Sequence, residues 1–171
     1  RVVFIGTGKY LETPDLSNTQ KQTQYAIKDD DATVTLVNPR SSLVAQFIID
    51  NPDGTATRLS ATSAAATGPG TNTVDFGVNR GWFVDLPVSK ERVNIDARLV
   101  LGTLIVPSIV PSNTDCSPGG FGFLNFFDYK TGGAVTLDGL SGVRYDATIV
   151  GVNVLYVAGE PQVSVVTSIN P

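Results

Sequence analysis

The sequence has no histidine, and among its 171 residues there is one cysteine, Cys116. The first absence removes the Ser-His-Asp and Cys-His arrangements of nucleophilic catalysis, and with them the commonest zinc ligand. Without an imidazole to activate it, the lone thiol reads as structural. Two structural roles stay open for Cys116: a bridge to a cysteine elsewhere in a longer parent chain, or a buried thiol. Charge is scarce as well. Charged residues make up 16% of the chain, against roughly 25% in ordinary globular domains. The 12 basic and 16 acidic side chains give a net charge of −4, and no basic cluster marks a nucleic-acid surface. No run approaches the roughly 18 apolar residues of a membrane span. Redox-cofactor signatures are absent, so no cofactor or metal site is expected in this segment. Paired carboxylates of the glycosidase kind remain conceivable, yet none lies beside an aromatic cluster in a way that suggests a sugar cleft. There is no visible signal peptide, and Arg1 directly precedes a strand-like stretch, which reads as a cut through a longer protein.

What is present is Thr, Ser, Asn, Gly and Val in the mix typical of extracellular β proteins. The region Gly81 to Gly133 organises the rest. Phe121-Gly-Phe-Leu-Asn-Phe-Phe-Asp128 reads as a strand with large apolar groups on both faces: Phe121, Phe123 and Phe127 on one, Leu124 and Phe126 on the other. Such a strand must be covered twice, because a sheet with one wet side alternates cleanly. Asp128-Tyr-Lys-Thr-Gly-Gly133 then supplies a turn. Trp82, Val84 and Leu86 share one face of another strand, so Trp82 is expected in the core. Further strands are expected at Val2–Ile5, Gln24–Lys28, Thr33–Val37 and Leu43–Ile49. The second half adds Arg98–Leu101, Leu104–Val110, Val154–Val157 and Val163–Ile169, with a short extended piece at Arg92–Ile95.

Gly102-Thr103 suits a type II′ hairpin link, and Pro107 marks an edge or a bulge in its strand. Asp50-Asn51-Pro52-Asp53-Gly54 is a turn signal. Gly6-Thr7-Gly8-Lys9 lacks the first glycine and the Ser/Thr of a phosphate loop, and Asp29-Asp30-Asp31 lacks the alternation of a calcium loop. No segment has helical periodicity. The chain is all-β.

Several stretches in order resemble one family. They are Val3-Phe-Ile-Gly-Thr-Gly-Lys-Tyr-Leu11 with Gln22-Thr-Gln-Tyr-Ala-Ile-Lys-Asp-Asp30, and Gly81-Trp-Phe-Val-Asp-Leu-Pro87 with Glu91-Arg-Val93. Cys116-Ser-Pro-Gly-Gly120, the Phe121 strand and Thr131-Gly-Gly133 complete the set. Their order and spacing resemble the C-terminal domain of the PilC/PilY type IV pilus tip-associated adhesins. The likeness covers most of the chain and is weakest between Thr33 and Asn79. It implies a bacterial, extracellular, modified β-propeller with antiparallel blades, related in shape to the quinoprotein dehydrogenases. It also implies a non-enzymatic role at the pilus tip in surface or host attachment and in pilus biogenesis.

The implied partners are pilin or minor pilin subunits, a host or abiotic surface, and the remaining blades of the parent chain. Family members often carry a D-x-D-x-D-G calcium loop, and this chain has none. Calcium therefore attaches to no residue here, although the parent protein is a possible site for it. Asn125-Phe126-Phe127-Asp128-Tyr129 also departs from the family's Leu-Tyr-Ala-Leu-Asp tendency. At about 40–50 residues per blade, 171 residues make a C-terminal portion of two to four blades, expected to be poorly stable alone. A quinoprotein-type dehydrogenase fragment and a generic extracellular structural β domain are the alternatives. Receptor contact is expected from the long polar loops Glu12–Gln22 and Ser60–Thr73, the latter read as mobile. Cys116 is expected to pin the entry of the Phe121 strand.

Overall fold

The computed structural model describes residues 1–31, 37–112 and 119–168. Eleven strands are present among them: β1 (Val2–Gly6), β2 (Thr23–Lys28), β3 (Val44–Asp50), β4 (Thr57–Ala61), β5 (Gly81–Asp85), β6 (Arg98–Val100), β7 (Thr103–Pro111), β8 (Gly120–Asp128), β9 (Leu140–Tyr145), β10 (Ile149–Val157) and β11 (Glu160–Thr167). Nine of them form one curled sheet in the order β1-β2-β5-β3-β4-β9-β8-β7-β6, and β10 and β11 form a separate ribbon. The chain is all-β, as its composition and periodicity require.

The two-faced strand explains the layout. From β8, Phe123, Asn125 and Phe127 are buried, Phe127 in a core with Trp82, Val84, Leu86, Leu104 and Val106. Leu124 and Phe126 belong to a second cluster with Ile105, Ile109, Ile149 and Val152, where the β10–β11 ribbon lies over the sheet. A Cβ at Gly122 would stand 2.9 Å from Ile149 Cγ1, so a glycine lets the ribbon approach. Both faces of β8 are thus covered.

Several boundaries differ from expectation. β4 and β9 fall in stretches rich in Ser, Thr, Gly and Asp, where tertiary pairing overrides weak local propensity. The β6–β7 link is Leu101-Gly102, one residue earlier than expected. Both residues have positive φ (47° and 86°), which is type I′ geometry. Pro107 pairs with Leu124 in β7. Ile109 exchanges backbone hydrogen bonds with Arg92, away from β8. By alternation the missing N–H of Pro107 faces the same way, into the gap between β6 and Arg92, where no ladder bond is lost. β3 and β5 run parallel, a departure from wholly antiparallel pairing. The excursion through β4 and residues 62–80 is long enough to return the chain to the same end. Of the expected strand Thr33–Val37, residues 33–36 lie outside the described residues, as do Ile169 and Cys116.

Residues 91–93 sew the two halves of the sheet together. Arg92 bridges to Ile109 of β7, while Val93 N donates to Thr7 O just beyond β1 at 3.0 Å. The Arg92 guanidinium donates to Lys9 O, Asn18 O and Lys90 O. Elsewhere the Arg40 guanidinium clamps β2 to β5, donating to both Asp85 oxygens (2.6 and 3.0 Å), Thr23 Oγ1 and the Tyr25 hydroxyl. Burial alone pushes the Asp85 carboxyl up, but the hydrogen bonds from Arg40 and Thr23 outweigh it and hold the group below the ordinary range.

Trp82 is fully buried, donates from Nε1 to Tyr129 O at 3.2 Å, and packs on Phe127 with ring centroids 5.7 Å apart. Gly132, at φ 71°, lies so close that a Cβ would stand 2.4 Å from the Trp82 ring. Trp82→Ala is therefore expected to cost about 3–5 kcal/mol in urea unfolding followed by circular dichroism. Gly132→Ala should also destabilise, through both the clash and the left-handed backbone. A second expectation concerns pH. Asp85 has a depressed folded-state pKa, so its stabilising contribution is present above the ordinary carboxylate value of about 3.9 and is lost as pH falls through the folded value. The gap in urea midpoint between wild type and Asp85→Asn should be open at neutral pH and close progressively in acid.

Candidate functional site

The interior of the curl holds a polar cluster. Arg58 of β4, Gly142 of β9, Asn125 of β8 and Val106 of β7 stand in one row across four paired strands. A Cβ at Gly142 would sit 3.0 Å from Asn125 Oδ1 and 3.3 Å from Arg58 Cβ. Glycine there leaves the space through which the Arg58 side chain passes. Its guanidinium donates to both Glu91 carboxylate oxygens (2.7 and 2.8 Å) and to Asn125 Oδ1 (3.1 Å). It also lies over the Phe123 ring, 3.2 Å from the centroid. Ser108 Oγ donates to Glu91 Oε1 at 2.6 Å, and Asn125 Nδ2 donates to Val106 O and Ser108 Oγ. Arg58, Glu91, Ser108 and Asn125 are essentially inaccessible to solvent. A carboxylate whose two oxygens are both engaged and shut off from solvent is out of reach of a substrate. The cluster is a fastener.

Above it opens a groove of about 370 Å³. One wall is the β3–β4 turn, whose geometry follows from its sequence. Gly54 adopts φ 78°, and Asp53 Oδ1 accepts from both N and Oγ1 of Thr55 (2.8 and 2.6 Å). The Thr55 hydroxyl bond holds the Asp53 carboxyl below its ordinary range. Asn51 Nδ2 donates to Thr57 Oγ1, which shares a hydrogen bond with Thr55 Oγ1. The turn is internally braced, and Asp50 at its start keeps a side chain 75% exposed.

The facing wall is Phe121, Phe123 and Arg144, with Val88 beside them. The Arg144 guanidinium stacks 4.2 Å above the Phe121 ring, and Phe121 meets Phe123 edge-on at 5.7 Å. Stacking engages the plane of the guanidinium and leaves its edge free. Among the described residues its counter-charge is Asp146, 3.3 Å from Nε, and the Arg144 side chain remains 44% exposed. Arg58 Nε is buried, has no hydrogen-bond partner among the described residues and stands 3.6 Å from Oδ1 of Asp50, which lines the groove.

The loops expected to make contacts are more ordered than their composition indicates. Glu12–Gln22 contains a 3-10 turn at Thr13–Leu16. The Leu11 and Glu12 N–H groups donate to Asp15 Oδ2 (2.8 and 3.0 Å), and the Leu11 bond above all holds that carboxyl below its ordinary range despite an opposing push from burial. The mobile reading of Ser60–Thr73 is corrected at both ends of the segment. Ser60 and Ala61 are buried in β4. At the far end Gln46 Nε2 donates to Asn72 O while Asn72 N donates to Gln46 Oε1, and Asn72 Nδ2 donates to Ala45 O and Thr62 O.

Sequence reasoning did not single out Arg58, Ser108, Asn125 or Asp50 as partners. The one available signal was a polar residue, Asn125, on a face otherwise made of phenylalanine. Among the described residues no group of three or more His, Cys, Asp or Glu could hold a metal ion, and no helix is long and apolar enough to cross a membrane.

Removing one member of a buried, paired charge leaves the other unpaired, which costs about 3–5 kcal/mol. Glu91→Ala and Arg58→Ala are each expected to lose that much in chemical denaturation. The paired replacement Arg58→Met with Glu91→Leu should lose less than either. Losses that simply add would show that the two charges are not coupled.

No family model, curated protein or solved structure matches the chain.

Proposed function

We propose that this chain is a non-enzymatic attachment domain of the type IV pilus tip-associated adhesin kind, serving surface or host attachment and pilus biogenesis from an extracellular position. The supporting observation is that the stretches carrying the resemblance, far apart in sequence, form one contiguous framework. β1 and β2, from the first pair, lie beside β5, the Gly81–Asp85 strand. Val93, from the Glu91-Arg-Val93 stretch, hydrogen-bonds to Thr7. The Thr131-Gly-Gly133 turn closes on Trp82 through Gly132. A signature whose parts brace one another constrains a shared scaffold more tightly than the same short matches scattered over a surface.

The finer fold reading belongs to the same proposal. Under it, the runs β1-β2-β5-β3 and β4-β9-β8-β7 stand for two blade-sized groups of four strands fused through the β3–β4 pairing into one sheet, where an ordinary propeller keeps its blades separate. The remaining blades, the pilin partners and any calcium site then lie in the parent protein.

Deleting the parent gene is the test. The expected result is loss of attachment together with reduced piliation and twitching. Normal piliation, twitching and attachment would refute the reading, and cofactor absorbance with dye-linked alcohol oxidation by the purified parent protein would replace it with the dehydrogenase.

A further inference from the structure

We propose that the groove between the β3–β4 turn and the Phe121–Arg144 wall binds an uncharged sugar ring. The inference deepens the attachment reading and rests on it for its biological role. The volume, about 370 Å³, lies within the roughly 300–1,000 Å³ range of small-ligand sites. Its chemistry is amphoteric: Asp50 offers an exposed acceptor and Arg144 offers N–H donors along a free guanidinium edge. A purely anionic ligand meets Asp50, and a purely cationic one meets Arg144. Sugar hydroxyls both donate and accept, so neighbouring hydroxyls satisfy planar carboxylate and guanidinium groups together. Phe121, half-buried, supplies exposed apolar surface for the C–H face of a ring, and the buried Phe123 packs edge-on against it. The sequence places no carboxylate near these aromatics, and the fold brings Asp50 to them.

Two features mark the groove as built for a ligand. The first is the unused Nε of Arg58, fully buried and 3.6 Å from Asp50 Oδ1. A buried donor without a partner is costly. Here it stands within ion-pair distance of Asp50, whose side chain stays largely exposed and lines the groove. The second is the support beneath the facing wall. The stack runs from Arg58 over Phe123, through the edge-on contact to Phe121, to Arg144. Arg144 is thereby oriented by aromatic packing, and beyond the ion pair with Asp146 its guanidinium makes no hydrogen bond among the described residues.

The test is saturation-transfer NMR on the purified chain with a panel of neutral methyl hexopyranosides and N-acetylhexosaminides, a methyl uronide and the peptide Gly-Gly-Gly. At least one neutral glycoside is expected to receive saturation, strongest on one ring face. Asp50→Asn and Arg144→Gln should each weaken binding about tenfold or more, with the unfolding midpoint essentially unchanged. Arg144→Lys should not restore it, because a point charge lacks the planar fork. Absence of transfer to every neutral glycoside overturns the proposal, as does transfer indifferent to both substitutions. Uronide binding rescued by lysine, or peptide binding in place of sugar, overturns it equally. Comparing attachment of wild-type cells with that of cells lacking the parent gene separates the two readings. If the purified chain binds sugar and wild-type cells attach no better than cells lacking the parent gene, the groove stands and the attachment role falls. If attachment needs the parent gene but the chain binds no neutral glycoside, the groove falls alone.

Discussion

Everything in this fold leans on one buried contact, the two-pronged pair between Arg58 and Glu91. Arg58 belongs to the middle of the curled sheet, whereas Glu91 sits on the short segment that stitches its far ends through Arg92 and Val93. Taking both charges out of water is expensive, and well-packed apolar side chains often serve stability as well or better. The return is positional. A hydrophobic plug would tolerate the seam at several registers, but two fixed guanidinium N–H groups meet two carboxylate oxygens in one. Ser108 and Asn125 add partners from β7 and β8, so four elements share one register. The pair decides where the sheet closes.

That closure sets the demands on β8. Its inner side chains meet the cluster and the Trp82 core, and its outer ones lie under the β10–β11 ribbon. The ribbon needs Gly122 to come close, and the Arg58 side chain needs Gly142 to pass. Each glycine stands where a neighbouring element occupies the space a side chain would take. The glycines and the phenylalanines of this region are therefore two sides of the same packing problem.

Much of this was legible from residues alone. An all-β chain, the burial of Trp82, the turn at Asp50–Gly54 and the double cover of the Phe121 strand all follow from local pattern and elementary packing. β4 and β9 were not legible, because Thr57–Ala61 and Leu140–Tyr145 carry little β propensity and become strands only by pairing with each other and their neighbours. The parallel contact of β3 with β5 was hidden for a related reason: it is decided by how a long excursion returns, which no short window contains. The groove was hidden most deeply. Asp50 and Phe121 are neighbours only because β4, β9 and β8 stand side by side, and the sequence that separates them gives no hint of the register. Loop order was misread from composition: a run of Ala, Ser, Thr and Gly looks slack, yet one well-placed amide, Asn72, anchors its far end.

The arginines show how a chain with so few charges uses them. Arg40, Arg58 and Arg92 each donate to at least three fixed acceptors, and each ties together elements that are distant in sequence. In each of these the guanidinium is spent on holding the fold. Arg144 is different in kind. It is braced by Phe121, and among the described residues its ion pair is with the exposed carboxylate of Asp146 and its guanidinium makes no hydrogen bond. Orienting a flexible cation on an aromatic ring costs side-chain entropy without the hydrogen bonds that offset it elsewhere in the molecule. That cost is recovered when something outside the chain supplies the acceptors, and the side chain facing Arg144 across the groove, Asp50, is itself a half-engaged carboxylate. Two partly engaged, oppositely charged side chains lining one groove are the arrangement expected of a surface that binds.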